Sequence, residues 1–187
     1  MFQRLIFHLL KNIRPVMIGN YKDFKGKKIL NTRVGSSSTI IGHKSLILEE
    51  NIFIGQYNFI EATNGINIGR GCQITNFVSL LTHSSHQAIR LYGDHYSKVK
   101  QKKHYYTGSI FIGDFTFIGP HTVVMPNTNI GKGSIVTAYS YVKGEFPDYS
   151  IISGNPAKII GDTRDMDKEA LTSNPELQSY YNEWTKR

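Results

Sequence analysis

An aliphatic residue returns at every sixth position of this chain between Ile112 and Val142. The series is Ile112, Ile118, Val124, Ile130, Val136 and Val142. Small hydroxyl residues stand two positions before the last five of them, at Thr116, Thr122, Thr128, Ser134 and Ser140. A strict period of six fits neither the 3.6-residue period of an α-helix nor the two-residue alternation of a strand. It is the period of a hexapeptide parallel β-helix.

The alternation of side chains along a strand explains this spacing. Residues two apart point to the same face, so each aliphatic residue and its small partner enter the interior together. Six residues make one short strand and a corner, and three such sides close one coil. The aliphatic residues of each coil then stack on those of the coil before, which no single repeat could achieve alone. The pattern therefore predicts an all-β solenoid with a thin, long core.

The same pairing predicts earlier and less regular coils. The expected inward pairs are Thr39/Ile41, Ser45/Ile47, Asn58/Ile60, Ile66/Ile68, Cys72/Ile74 and Val78/Leu80. Cys72 is the single cysteine and stands at the small position of its pair, so we expect it to fill the core rather than to act as a nucleophile. One cysteine also excludes a disulfide framework.

Three segments follow from where the repeat begins and ends. Residues 1–33 begin with apolar residues at helical spacing and continue as a lysine-rich connector, which predicts an amphipathic helix packed on the solenoid or, alternatively, resting on an anionic membrane surface. Residues 34–161 form the β-helix domain, with an inserted loop at about 81–109. Residues 162–187 are rich in helix formers and predict a C-terminal helical tail.

The net charge and the length of the apolar runs restrict the binding partners and the cellular location of the protein. Lysine and arginine number 22 against 14 acidic residues, a net charge of +8 that attracts anions. The cations are dispersed and no RNA-binding or zinc-finger signature is present, so we do not expect nucleic-acid binding. No apolar run is long enough to span a bilayer, and no cleavage site follows the apolar start. We expect a cytoplasmic protein, at the inner membrane surface if the first helix binds lipid.

The repeat stops at Leu80 and resumes at Ile112, and the stretch between them is the predicted site. An irregular insertion into a regular solenoid is where specific chemistry is most often placed. The insertion holds four of the seven histidines, together with several tyrosines and lysines. The lysines could bind coenzyme phosphates or an acidic glycan, or form a solvated face: Lys98, Lys100, Lys102 and Lys103.

The repeat, the histidine loop and the closing run Gly154-Asn155-Pro156-Ala157-Lys158 together resemble the hexapeptide-repeat acyltransferases, in their polysaccharide and sugar O-acetyltransferase branch. The resemblance covers about residues 34–161. It implies a left-handed parallel β-helix and a homotrimer with its active sites between subunits. It also implies transfer of acetyl from acetyl-coenzyme A to a carbohydrate hydroxyl, in surface polysaccharide biosynthesis and without a metal.

The resemblance also implies roles for single residues. When this chain is aligned with the sialic acid O-acetyltransferases or the streptogramin-type acetyltransferases, their catalytic histidine falls on His86. Alignment with the galactoside-type enzymes favours His83 instead. We choose His86 as the general base, with His83 as the alternative, because a neutral imidazole can take a hydroxyl proton near neutral pH. Positions matching coenzyme A contacts are Pro120, Ala138, Lys143 and Lys158. Acceptor contacts are expected at Asn58, which matches the galactoside-type enzymes, and at Tyr92 and Tyr105, whose rings suit a sugar face.

Three alternatives remain open. The acceptor could be an antibiotic or an amino sugar, because a fold does not fix its substrate. The γ-carbonic anhydrases share the β-helix and the trimer but bind zinc, for which candidate ligands here are His83, His86, Asp94 and His95. The third alternative is a non-catalytic trimeric scaffold whose site has decayed. It is suggested by Phe117, which stands where family members usually carry tryptophan.

Overall fold

The computed structural model of the protein describes residues 14–186. Its strands are β1 (Met17–Ile18), β2 (Arg33–Gly35), β3 (Thr39–Ile41), β4 (Leu46–Leu48), β5 (Phe53–Ile54), β6 (Phe59–Glu61), β7 (Ile66–Ile68), β8 (Gln73–Ile74), β9 (Ser79–Leu81), β10 (His83–Ser84), β11 (Tyr106–Thr107), β12 (Ile110–Ile112), β13 (Phe117–Ile118), β14 (Val123–Val124), β15 (Thr128–Ile130), β16 (Ile135–Val136), β17 (Tyr141–Val142), β18 (Glu145–Phe146), β19 (Ser150–Gly154) and β20 (Ala157–Asp162). The α-helices are α1 (Ala88–Tyr92), α2 (Thr163–Ser173) and α3 (Gln178–Thr185), with 3-10 turns at His43–Ser45, Gly93–His95 and Pro175–Leu177.

Three sheets form the three sides of a solenoid. The first side runs β2-β5-β8-β13-β16-β19 in parallel, with β1 and β20 added antiparallel at its ends. The second side is β3-β6-β9-β14-β17 and the third is β4-β7-β12-β15-β18. Strands that follow one another along a coil lie on different sides, and neighbours within a sheet are one coil apart. The architecture is a parallel β-helix of about six turns, consistent with the predicted left-handed β-helix.

The core contains the predicted series of aliphatic residues. All six members from Ile112 to Val142 are fully buried. Some of the small hydroxyl residues do more than fill space, because they donate to carbonyl groups of the next coil. Thr116 donates to the carbonyl of Gly131 at 3.0 Å, and Thr122 donates to that of Thr137 at 3.2 Å. These two threonines thus bond one coil to the next while leaving room for the aliphatic side chain.

Cys72 lies in the core as predicted. Its Sγ is 3.0 Å from the carbonyl oxygen of Gly113, and the residue is fully buried. Burial raises the pKa of the Cys72 thiol to about 12. Such a thiol is neutral near physiological pH and is not a nucleophile.

The first coil departs from the predicted frame by one residue. Ile41 and Ile47, expected inside, are 44% and 56% exposed, whereas Leu46 is 6% exposed. Strand pairing aligns Ile40 with Ile60, and Leu46 with Ile66 of the next coil. The prediction was wrong because these strands offer aliphatic residues on both faces, and only pairing with the following coil decides which face points inward.

One corner of the solenoid carries a column of four stacked rings. They occupy equivalent positions in successive coils, all with φ near +60°: Tyr57, Phe77, His121 and Tyr139. Successive ring centroids are 5.1, 4.8 and 4.8 Å apart, and the planes lie within 8° of parallel. Stacking between coils therefore continues outside the core, along an exposed edge.

The C-terminal helices close over a different corner. Trp184 of α3 lies 4.9 Å from the ring of Phe115 and 6.0 Å from that of Tyr149, measured between centroids. Gly133 stands beneath it with φ +65°, and a Cβ there would approach the indole to 2.9 Å. The absence of a side chain at Gly133 leaves the space that the indole occupies.

The predicted N-terminal helix lies outside the described residues. Within residues 14–186, none of the helices is both long enough and apolar enough to cross a membrane.

Candidate active site

The inserted loop leaves the second side of the solenoid after β9 and rejoins the third side at β12. Its two ends pair as an antiparallel ribbon, with His83 opposite Thr107 and Ser84 opposite Tyr106. The backbone carbonyl of Thr82 accepts the N–H of Gly108 at 3.0 Å at the base of this ribbon. Helix α1 and the turn at 93–95 form the outer part of the loop. The ribbon therefore fixes His83 close to the solenoid wall.

Glu61 is a buried carboxylate at the end of β6, only 3% exposed. It pairs in register with Leu81 of the next coil, which brings Thr82 and His83 beside it. Glu61 Oε2 lies 2.8 Å from His83 Nδ1 and accepts the Thr82 hydroxyl at 2.7 Å and the Thr82 N–H at 3.1 Å. Its Oε1 accepts the N–H of Thr63 at 3.0 Å. Both carboxylate oxygens of Glu61 are therefore hydrogen-bonded.

These contacts favour the ionised form of Glu61. Burial raises the pKa of its carboxyl group, but the hydrogen bonds from Thr82, Thr63 and His83 outweigh burial, so the net pKa lies below the usual value. An ionised carboxylate only accepts hydrogen bonds, so neutral His83 carries its proton on Nδ1. The Nε2 lone pair of His83 is then available to take a proton. The His83 side chain is 39% exposed, so part of the ring is accessible to a ligand.

His86 has a different environment in the same loop. Its Nδ1 lies 2.8 Å from the hydroxyl oxygen of Ser84, and its ring stacks on Tyr106 with centroids 5.3 Å apart. Within residues 14–186, no carboxylate makes an ion pair with this ring. A serine hydroxyl can either donate or accept, so it neither fixes the tautomer nor balances a positive imidazolium as a carboxylate does.

Both histidines line one groove of about 480 Å³. Its lining residues are Ile41, Phe59, Glu61, Thr63, Leu81, His83, Ser84, Ser85 and His86. Ile41 and Phe59, which point outward from the first two coils, contribute an apolar wall. The side chain of Ile41, predicted for the core, thus borders the groove instead.

A second cavity of about 560 Å³, which we call the lysine cavity, adjoins the loop. It is lined by Tyr96, Lys100, Gln101, Lys102, Tyr105 and Thr107. The ring of Tyr105 also stacks on His83, with centroids 5.7 Å apart and planes 10° from parallel. Burial raises the pKa of Tyr105, and the nearby charges of Tyr96 and Glu61 add to this effect. Tyr105 is therefore shared between the lysine cavity and the histidine that contacts Glu61.

The other two residues expected to contact an acceptor lie elsewhere. The hydroxyl oxygen of Tyr92 accepts the N–H of Lys103 at 2.9 Å, which closes the loop on itself. Asn58 is 2% exposed, and its Oδ1 accepts the N–H of Val78 at 2.7 Å inside the solenoid. Its inward position, two residues before a core isoleucine, keeps Asn58 out of the groove.

Three of the four predicted coenzyme A contacts lie near one corner. Pro120 follows β13 and Ala138 follows β16, and these two strands pair with each other. Lys158 pairs with Ser153, whose hydroxyl oxygen lies 2.7 Å from that of Thr137. The fourth, Lys143, follows β17 at another corner, and its Nζ lies 5.9 Å from the ring centroid of Tyr106 in the loop.

Metal-binding side chains do not assemble in the described part of the chain. Between residues 14 and 186, no group of three His, Cys, Asp or Glu side chains is placed to hold a metal ion. The zinc ligand set considered from the sequence, His83, His86, Asp94 and His95, is therefore not brought together within this one chain.

Glu61 is the functional candidate that sequence reasoning missed. The hexapeptide frame treats it as an outward residue after the core residue Ile60. The signal that could have found it is the coil length. The early coils repeat after twenty residues, since Ile60 pairs with Leu80, and this spacing places Glu61 beside Leu81 and next to His83.

Comparison with known proteins agrees with the repeat and the fold. The family described as bacterial transferase hexapeptide (six repeats) matches residues 109–144. A putative lipopolysaccharide biosynthesis O-acetyl transferase, WbbJ of Escherichia coli (strain K12), is 27% identical over 161 residues, covering 84% of this chain and 81% of the relative.

Two solved structures share the fold at lower identity. A maltose O-acetyltransferase from Clostridium difficile 630 has a TM-score of 0.60 at 18% identity, covering 86% of this chain and 84% of that one. AntD, an N-acyltransferase from Bacillus cereus crystallised with dTDP and 3-hydroxybutyryl-CoA, has a TM-score of 0.58 at 19% identity, covering 76% and 88%. The hexapeptide match and the WbbJ match make the chain similar to the hexapeptide-repeat acyltransferases, the family that its sequence resembles.

Proposed function

We propose that this protein transfers acetyl from acetyl-coenzyme A to a hydroxyl of a carbohydrate, with His83 as general base and Glu61 as its positioning residue. The observation that carries the proposal is the 2.8 Å contact between Glu61 Oε2 and His83 Nδ1 at the edge of an open groove. The names of WbbJ and the maltose O-acetyltransferase support a carbohydrate hydroxyl as acceptor. The acyl-coenzyme A bound to AntD supports the donor class.

The arrangement suits direct acyl transfer. A sugar hydroxyl is a poor nucleophile, so His83 Nε2 accepts its proton as the oxygen attacks the thioester carbonyl. Glu61 keeps its hydrogen bond to Nδ1–H, holds the ring in place and balances the charge of the imidazolium. As the carbon–sulfur bond breaks, His83 returns the proton from Nε2 to the thiolate of the leaving coenzyme A. The histidine is neutral again, and no acyl-enzyme forms.

The choice of His83 differs from the alignment-based choice of His86. A general base needs a fixed tautomer and a partner for the charge that it gains, and Glu61 provides both to His83. Ser84 provides neither reliably to His86. His86 still lines the groove, so it remains the alternative base and a candidate acceptor contact.

Further expectations from the sequence belong to the same proposal. We infer a homotrimer with its active sites between subunits, because the resemblance to the hexapeptide-repeat acyltransferases implies one. Pro120, Ala138 and Lys158 are proposed to contact coenzyme A at their shared corner, and Lys143 from the loop side. A cytoplasmic location and a role in surface polysaccharide synthesis remain part of this proposal.

The proposal is tested by following thiol release from acetyl-coenzyme A with the full chain and a panel of sugars. We expect release that depends on the sugar, and a product ester that mild base removes. An acetyl group that resists mild base would instead indicate an amide and an amino-sugar acceptor. No release together with no calorimetric binding of coenzyme A would support the scaffold. Stoichiometric zinc in the purified protein would support the carbonic anhydrase alternative.

A further inference from the structure

The inserted loop carries a local excess of positive charge. Its cations are Arg90, Lys98, Lys100, Lys102 and Lys103, against Asp94 as the single carboxylate between residues 81 and 109. The loop therefore carries +4, half of the net charge of +8. In the part of the chain that the structure describes, none of these five cations forms an ion pair. A cluster of like charges without carboxylate partners creates a positive potential that attracts anions.

Two of these lysines, Lys100 and Lys102, line the lysine cavity. Lys102 is half-buried and held in place, because its Nζ donates to the carbonyl of Val99 at 2.5 Å and lies 4.6 Å from the ring centroid of Tyr96. An ammonium has three N–H donors, so the contact with Val99 leaves others for a ligand. The cavity thus combines fixed positive charge with aromatic faces, which suits a ring that carries an anionic group.

Tyr105 joins this cavity to the proposed base. Its ring lines the lysine cavity and stacks on His83, with centroids 5.7 Å apart. A sugar whose anionic group contacts Lys100 and Lys102 therefore lies next to Tyr105, a single aromatic ring away from the histidine.

We propose that the acceptor is an anionic carbohydrate, whose carboxylate or phosphate is bound by Lys100 and Lys102 while Tyr105 contacts the sugar ring. This inference rests on the proposed function for the reacting hydroxyl, but recognition of the charge does not depend on catalysis. Lys98 and Lys103 belong to the same loop but do not line the cavity, so they take no direct part.

The test measures binding of three ligands with the same pyranose ring: methyl glucoside, methyl glucuronide and glucose 6-phosphate. Calorimetry on the full chain without acyl donor gives dissociation constants that do not depend on activity. We expect at least one charged ligand to bind about tenfold or more tightly than methyl glucoside. The preference should fall as salt is raised, because salt screens charge.

Matched double variants locate the preference. Lys100→Gln with Lys102→Gln should abolish it. Lys98→Gln with Lys103→Gln removes the same charge from the same loop and should keep it. A preference for glucuronide indicates an acidic sugar and a preference for the phosphate indicates a phosphorylated one, and either supports the proposal.

Three results would overturn the inference. One is no difference among the three ligands with the native protein, and another is equal loss in both double variants. The third is weaker binding of coenzyme A, with unchanged sugar binding, in Lys100→Gln with Lys102→Gln, which would assign the cavity to the donor's phosphates. A preserved preference without acetyl transfer to any acceptor would refute the proposed function while leaving this site standing.

Discussion

His83 and His86 lie in one loop, three residues apart, and each ring stacks on a tyrosine of the returning segment. They differ in what holds Nδ1. For His83 it is Glu61, a buried carboxylate of the preceding coil, whereas for His86 it is Ser84, a hydroxyl of the loop itself. The rigid solenoid therefore orients one histidine, and the loop alone orients the other. Under the proposed function, contact with the wall of the solenoid is what distinguishes His83 from His86.

Replacing each histidine gives the largest expected effect. His83→Ala should lower kcat by about 10²- to 10⁴-fold, because the hydroxyl loses its proton acceptor. His86→Ala should lower kcat by less than about tenfold, since it removes no group paired with the developing charge. Steady-state thiol release with one acceptor measures both. The larger loss in His86→Ala would reverse the assignment and restore the base chosen from the sequence.

Glu61→Gln should have the next largest effect. The amide keeps the size of the side chain but no longer balances an imidazolium, so we expect kcat to fall about tenfold to a hundredfold, less than when the base is removed. Exposed Glu50→Gln is the matched control and should leave kcat unchanged. Full activity in a folded Glu61→Gln protein would show that His83 needs no carboxylate.

Replacing Tyr105 should lower kcat more than replacing Tyr106, as with the histidines on which they stack. The difference should be smaller than that between the two histidine variants. Tyr105→Ala removes the ring stacked on His83, an interaction of about 0.5–1.5 kcal/mol, and should lower kcat by about two- to tenfold. Tyr105→Phe retains the ring and should retain kcat. Tyr106→Ala removes the equivalent ring from His86 and should have little effect on kcat. Equal losses from Tyr105→Ala and Tyr106→Ala would mean that the two stacks only support the loop.

The smallest expected effect is on stability as pH changes. The pKa of Glu61 is lower in the folded protein than the ordinary value of 4.5, so its ionised form favours folding. That stability is fully present above pH 4.5 and is lost as pH falls through the lowered pKa. The difference in unfolding free energy between the native protein and Glu61→Gln should therefore shrink as pH falls below 4.5. Urea unfolding at several pH values below 4.5 measures it, and a difference that grows as pH falls within this range would contradict the lowered pKa of Glu61.

The sequence predicted the solenoid because its signal is repeated. Six aliphatic residues at one spacing, with their small partners, leave a single frame, and all six are buried. The first coil offers Ile40 beside Ile41 and Leu46 beside Ile47, so local pattern could not decide between the faces. Pairing with the next coil made that decision, and it is an interaction between residues about twenty positions apart.

The position of the candidate site could be predicted from the sequence, but the choice between its two histidines could not. The interruption of the repeat indicated the loop, and the structure shows His83, His86 and Tyr105 there. Which histidine has a charged partner depended on Glu61, which lies in another coil and outside the hexapeptide frame. Glu61 contacts His83 from the preceding coil, so a search within the loop could not find it.

The indole seated over Gly133 gives the C-terminal helix an optical reporter. Trp184 is the only tryptophan in the sequence, so intrinsic tryptophan fluorescence arises from one contact, where α3 meets Phe115 and Tyr149. Release of the helix would move the indole into water and shift its emission to longer wavelength, while the circular dichroism of the sheets stays the same. Undocking of the tail and melting of the solenoid can thus be followed separately in one unlabelled sample.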